Sequence, residues 1–291
     1  MASLVWGCCR LIGAMPHWLR YYVLQDIIYF IVYKCLRYRV GVVTENLRNS
    51  FPDRPMAEIK RIRRSFYHNL SEIFISTVSQ AAMSDDDCRR RVRDEVLSDL
   101  RGRDALLSTA HFGCWEYDSF LALYTGEHYL AAVYHPLENK VIDAVYMRLR
   151  RRRNIRLIPM KEIIRYYIDH RLPAGAPGQR IGIGLIADQN PPLRPNSHWF
   201  RFLNQDTVFF DGIEKMALKF HMPVYFCRQR RLRRGYYELE FLRLYDGVEQ
   251  VAPNEVTERY VRQLESDIVA DPGMWLWSHR RWKHRRPQCP S

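Results

Sequence analysis

ALLSTAHFGCWEYDSFLALY (Ala105–Tyr124) reads as an apolar strand, a turn carrying a histidine, and the first turns of a helix. That order decides the fold. The strand covers 104–110, and the helix starts near Trp115 with Phe120, Leu121 and Leu123 as its apolar side chains. If His111 and Glu116 were both helical, five steps would set them about 140° apart, on different faces. They meet only if His111 stands in the turn, where Gly113 lets the chain bend tightly. A strand–turn–helix of this kind also aims free backbone N–H groups at whatever docks there.

Outward from this stretch, strands and helices alternate. YLAAVYH (129–135) is a strand, and 137–151 is a helix with Leu137, Val141, Val145 and Leu149 four apart on one face. IRLIPM (155–160) is a strand, KEIIRYYIDH (161–170) a helix, and IGIGLIAD (181–188) a buried strand. GIEKMALKFH (212–221) is a helix, 223–231 and 236–246 form a hairpin around Arg234-Gly235, and a helix follows at about 254–269. The expected fold is α/β: a single domain with a mainly parallel mixed sheet flanked by helices. Ligands gather at the C-terminal ends of such strands. His111 and Asp188 each end a strand, so both are expected on that edge.

The first third, to about residue 100, reads as helical. WLRYYVLQDIIYFIVYKCL (18–36) carries Arg20, Asp26 and Lys34. A single span needs about 20 apolar residues, and a mid-span aspartate is costly. This segment is therefore expected to lie in a membrane interface with its tyrosines at headgroup depth, a buried core helix being the alternative. Residues 1–40 form the membrane-associating helical segment and 41–291 the catalytic domain in this reading.

The net charge of +13 over 291 residues calls for an acidic partner: nucleic acid, an anionic membrane, a phosphorylated lipid or an acidic carrier protein. The arginine runs at 148–153, 228–234 and 279–286 are interleaved with aromatic and aliphatic residues, so they belong to folded elements. WLWSHRRWKHRR (275–286) suits an anionic membrane surface, and it also suits single-stranded nucleic acid. The seven cysteines are odd in number and form no CxxC pair, which argues against a structural zinc or a disulfide framework and favours a reducing compartment. No cluster of metal ligands stands out, and no cofactor is expected.

A neutral imidazole oriented by a carboxylate is a general base, so His111 with Glu116 can take a proton from an alcohol. Spacing alone is a weak signal and favours a structural histidine. Cys114 offers a competing thiol nucleophile, and Asp188-Gln189-Asn190 before Pro191-Pro192 is either a strand exit or part of a site.

Several stretches together resemble the late acyltransferases of lipid A biosynthesis, within the wider lysophospholipid acyltransferase group. The group's H-x4-D/E mark is HFGCWE, His111–Glu116. The likeness continues through YRVGVVTENLRNSFPDRP (38–55), YHPLEN (134–139), RLRRRRNIRLIP (148–159), ADQNPP (187–192), FFDGIEKMALKFHMPV (209–224) and WLWSHRRWKHR (275–285). It implies a glycerol-3-phosphate acyltransferase-like fold. It further implies His111 as the base that deprotonates an acceptor hydroxyl, with Glu116 as its orienting partner. The hydroxyl then attacks the thioester of an acyl carrier protein. The implied acceptor is a phosphorylated glycolipid, the lipid A precursor, at the cytoplasmic face of the inner membrane.

The resemblance gives Arg150, and less directly Arg153, a phosphate or oxyanion to bind, and has Asp188 and Gln189 shape the site. Cys114 stands where asparagine is frequent, and His135 precedes Pro136 where arginine is frequent. The same chemistry on an amino-acid lipid, glycolipid or lysophospholipid stays open. A nucleic-acid-binding protein would explain the charge but neither the tyrosine-rich N-terminus nor His111 and Glu116.

Overall fold

The computed structural model describes residues 1–94, 102–123, 128–134, 136, 138–151, 155–173 and 175–286. The chain opens with α1 (Ala2–Ala14), then a helical run from Leu19 to Cys35 in which α2 (Gln25–Tyr29) is flanked by two π-helical stretches. Next come α3 (Val40–Ser50), α4 (Met56–Ser79) and α5 (Asp85–Arg91). The α5 helix starts in a capping box, Ser84 with Asp87, and ends in Arg89, Arg90 and Arg91, so both ends suit its dipole.

After β1 (Val92–Asp94) and β2 (Ala105–Thr109), a 3₁₀ helix spans Trp115–Leu123. Then follow β3 (His128–Tyr134), α6 (Lys140–Arg151), β4 (Arg156–Pro159), α7 (Ile163–His170) and β5 (Arg180–Ile186). The chain closes with β6 (Trp199–Phe202), β7 (Gln205–Val208), α8 (Gly212–Phe220), β8 (Val224–Arg233), β9 (Tyr236–Tyr245) and α9 (Glu255–Ala270).

The main sheet has the order β1-β9-β8-β2-β5-β3-β4, and every neighbouring pair except β8–β9 is parallel. The expected α/β architecture is therefore present. Each residue of β2 is buried, as a central strand covered on both faces requires. Helices α8 and α9 pack on β2, β8 and β9, while the 3₁₀ helix packs on β1 and β3. At the β8–β9 turn Gly235 has φ +73, and a side chain there would collide with the Tyr21 ring. Three strands escaped the sequence reading. β1 lies inside the stretch read as helical, and β6–β7 is an antiparallel hairpin in a sheet of its own.

The N-terminal helical run differs in orientation from the expectation. Its tyrosines mostly turn inward: Tyr21 is fully buried, Tyr29 stacks on His68 at 3.7 Å, and Tyr33 stacks on Tyr67 at 4.5 Å. The exposed apolar face is made instead by Trp18, Tyr22, Ile27, Phe30 and Ile31. None of the described helices is long and apolar enough to cross a membrane. The C-terminal tryptophans also differ. Trp275 and Trp277 are buried in the core, so neither is available to stack on a base or dip into a bilayer.

Candidate active site

Sheet register assembles the site. In the parallel β2–β5 pair Thr109 lies opposite Ile186, so His111 and Asp188, each two residues further on, leave the sheet side by side. The turn after β2 is then tied to the C-terminal segment. Gly113 N–H donates to the Met274 carbonyl at 3.0 Å, Leu276 N–H donates to the His111 carbonyl at 3.0 Å, and Phe112 bridges to Trp275. Gly113 has φ +62, and a Cβ there would come within 2.6 Å of Gln229 Oε1. Gly113→Ala is therefore expected to cost about 1–3 kcal/mol in denaturant unfolding. It is also expected to lower turnover, because the same turn carries His111.

Asp188 is the carboxylate that holds His111. Its Oδ1 accepts from His111 Nδ1 at 2.7 Å, and its Oδ2 accepts from the His111 backbone N–H at 3.0 Å and from Trp275 Nε1 at 2.8 Å. Burial alone pushes the Asp188 carboxyl up, but the His111 charge and these three donors outweigh it and hold the group below its ordinary value. In the neutral imidazole the Asp188 bond holds the proton on Nδ1, which leaves the Nε2 lone pair facing the Gln189 amide at 3.2 Å. The Trp115 ring stands edge-on to the imidazole at 5.0 Å.

Glu116 is placed differently from the expectation. It is buried, and its two oxygens accept from Arg150 Nη2 at 2.7 Å and Nε at 3.2 Å. Among the described residues His111 bonds to Asp188 and Gln189, not to Glu116. The 3₁₀ helix turns Glu116 away towards α6, which is capped by Asn139 and carries Arg150 in its last turn. Burial disfavours the Arg150 cation, but the Glu116 carboxylate overrides that effect and raises its hold on the proton. Such a bidentate pair is planar and directional. Arg153 and His135 lie outside the described residues.

Cys114 is fully buried, and burial pushes its thiol well above the ordinary range. A nucleophile needs an accessible thiolate, so this cysteine packs rather than reacts. Cys114→Ser is expected to retain turnover and to trap no acyl group by intact mass. It should lose about 1–2 kcal/mol of stability to the buried hydroxyl.

Three groups near the site were not singled out from the sequence. Trp275, read there as a surface aromatic, is a donor to Asp188. Asp118 accepts from Thr109 Oγ1 at 2.7 Å and from Gln229 Nε2 at 2.6 Å, and burial raises its carboxyl to about 7. Arg281 is buried; it donates to Asn190 Oδ1 at 3.0 Å and to the Val208 carbonyl at 2.7 Å, so it pins the residue after Gln189. A local pattern could have flagged Asp118, two residues after Glu116. The other two depend on where the C-terminal segment crosses the sheet edge.

The fold and this geometry define an α/β protein with a hydrogen-bonded His111–Asp188 pair at the C-terminal ends of its parallel strands. The chain belongs to the bacterial lipid A biosynthesis acyltransferase family, which matches it over residues 1–284. The protein is accordingly an acyltransferase of lipid A biosynthesis. No curated protein matches the chain. Among the described residues no group of histidine, cysteine, aspartate and glutamate side chains could hold a metal ion.

Proposed function

We propose that the protein transfers a fatty acyl chain from an acyl-carrier-protein thioester to a hydroxyl of a lipid A precursor at the cytoplasmic face of the inner membrane. The observation that carries this reading is the 2.7 Å bond from His111 Nδ1 to buried Asp188, which leaves Nε2 as the free base. The acceptor hydroxyl replaces the Gln189 amide at Nε2. As its oxygen attacks the thioester carbonyl, its proton passes to Nε2, and the imidazolium is stabilised by Asp188. The tetrahedral intermediate collapses to the ester. The carbon–sulfur bond breaks, and the imidazolium returns the proton to the departing thiolate.

In this scheme Glu116 acts through Arg150. It holds the guanidinium in one plane, so that the remaining donors can meet the acceptor's phosphate or the developing oxyanion. The net charge of +13 suits an acidic carrier protein and an anionic membrane, with the outward face of residues 1–40 lying at that membrane.

The test is direct. The detergent-purified protein is given acyl–carrier protein and a tetra-acylated disaccharide precursor, and the lipid is weighed by mass spectrometry. One added acyl mass is expected. No addition, with thioester still consumed when total membrane lipid is supplied, would keep the acyltransferase and transfer the assignment to another acceptor.

A further inference from the structure

Arg20 is 6% exposed, yet its Nε and Nη1 have no hydrogen-bond partner. Among the described residues it forms no ion pair. Arg91 is equally buried, and its Nη1 donates to a neutral group, the Gly235 carbonyl at 2.9 Å. Both guanidiniums lie against the Tyr21 ring, at 5.7 and 5.5 Å, and Arg91 also lies against Tyr236 at 4.8 Å. The acidic group that acts on Arg91 is Asp87, which already bonds Arg90 at 2.7 Å.

Further positive charge surrounds the pair. Arg20, Arg91 and Arg233 all disfavour protonation of His17, whose ring stacks on Tyr21 at 4.6 Å. Arg233 is exposed and sits over Tyr236 at 4.0 Å. A buried cation needs a counter-charge, and ring faces supply less than its desolvation takes away. Two guanidiniums with no carboxylate bonded to them among the described residues therefore describe half of an ion-binding site.

We propose that Arg20 and Arg91 bind a phosphate group, with Arg233 leading into the site from solvent. A tetrahedral oxyanion offers several acceptors at once, including ones for the Arg20 Nε and Nη1 donors that otherwise have none. Trp18 and Tyr22, 60% and 55% exposed, flank Arg20 along the chain, so an apolar surface adjoins the site. The phosphate is that of a phospholipid headgroup or free phosphate, and the two sources are separable. The site shares none of the residues bonded to His111 and does not depend on the acceptor assigned above.

Thermal unfolding of the full chain in a non-ionic detergent is followed with sodium phosphate against sodium chloride at equal ionic strength. Flotation with phosphatidylcholine vesicles, alone or doped with phosphatidylglycerol, is run beside it. The wild type is expected to be stabilised by phosphate, or to bind the doped vesicles about tenfold more tightly. The first response alone identifies free phosphate, and the second identifies a lipid headgroup.

Arg20→Met removes the unpaired cation at similar volume. It is expected to be at least as stable as the wild type without phosphate, and to lose either response. Arg20→Lys, which keeps the charge, is expected to respond about tenfold more weakly, and it provides the comparison if the methionine variant fails to fold. A wild type indifferent to both probes, or an Arg20→Met protein that responds as strongly as the wild type, overturns the site.

Discussion

Replacing His111 by alanine is expected to lower acyl transfer about a thousandfold, within the 10²–10⁴ range of a positioned general base. The loss should fall on kcat, because the base acts as the hydroxyl attacks and contributes little to binding the ground state. A structural histidine would give another result. Removing the imidazole leaves the buried Asp188 with two of its three donors, the His111 backbone N–H and Trp275 Nε1. That should cost about 1–3 kcal/mol of stability, a shift in melting temperature that leaves a folded protein. Turnover and thermal unfolding are therefore measured on the same preparation. A folded alanine variant with substantial turnover would remove His111 as the base. A variant that simply fails to fold would make the histidine a packing group.

The alternation of strands and helices was legible because each element obeys its own period. β2 is a run of buried residues, and α6 buries Val145 and Leu149, four apart. The β6–β7 hairpin was not legible. Its two turn residues, Leu203 and Asn204, both take positive φ without the glycine that signals such turns. Glu265 accepting from Leu203 N–H, and Asn204 donating to the Ser50 carbonyl, hold a conformation the local sequence does not favour.

At the site, His111 and Asp188 were both picked out, but their partnership was not. It comes from the β2–β5 register, which joins residues 77 apart. Glu116 was matched to His111 by chain proximity, yet the 3₁₀ helix turns its carboxylate towards Arg150 on α6. Trp275 looked like a membrane aromatic because amphipathic composition reads alike in a core and at an interface. What distinguishes them is a buried acceptor, Asp188, far away in sequence.

The pairing can be decided by Asp188→Asn, which is nearly isosteric but has a single acceptor oxygen. Asp188 Oδ2 takes two donors, so the amide oxygen should occupy that position and keep both. Its NH₂ then faces His111 Nδ1, where a carboxylate oxygen stood at 2.7 Å. Two donors cannot face each other, so the imidazole moves its proton to Nε2 and presents an N–H where the mechanism needs a lone pair. The expected loss in kcat is about 10³–10⁴-fold with KM little changed, as for wrong-tautomer variants of other His–Asp pairs.

Stability carries a second signature. The Asp188 carboxyl sits below its ordinary 3.8 in the fold, so it contributes stability above the ordinary range and loses it as pH falls through the folded value. The asparagine variant should lack that part of the acid transition. Glu116→Gln should act differently: it weakens the bidentate hold on Arg150 while leaving His111 and its tautomer in place, so part of the turnover survives and KM for the acceptor rises. If instead Asp188→Asn turns over almost normally and Glu116→Gln is inactive with KM unchanged, the base is oriented by Glu116 during turnover. The bond to Asp188 would then belong to the resting enzyme alone.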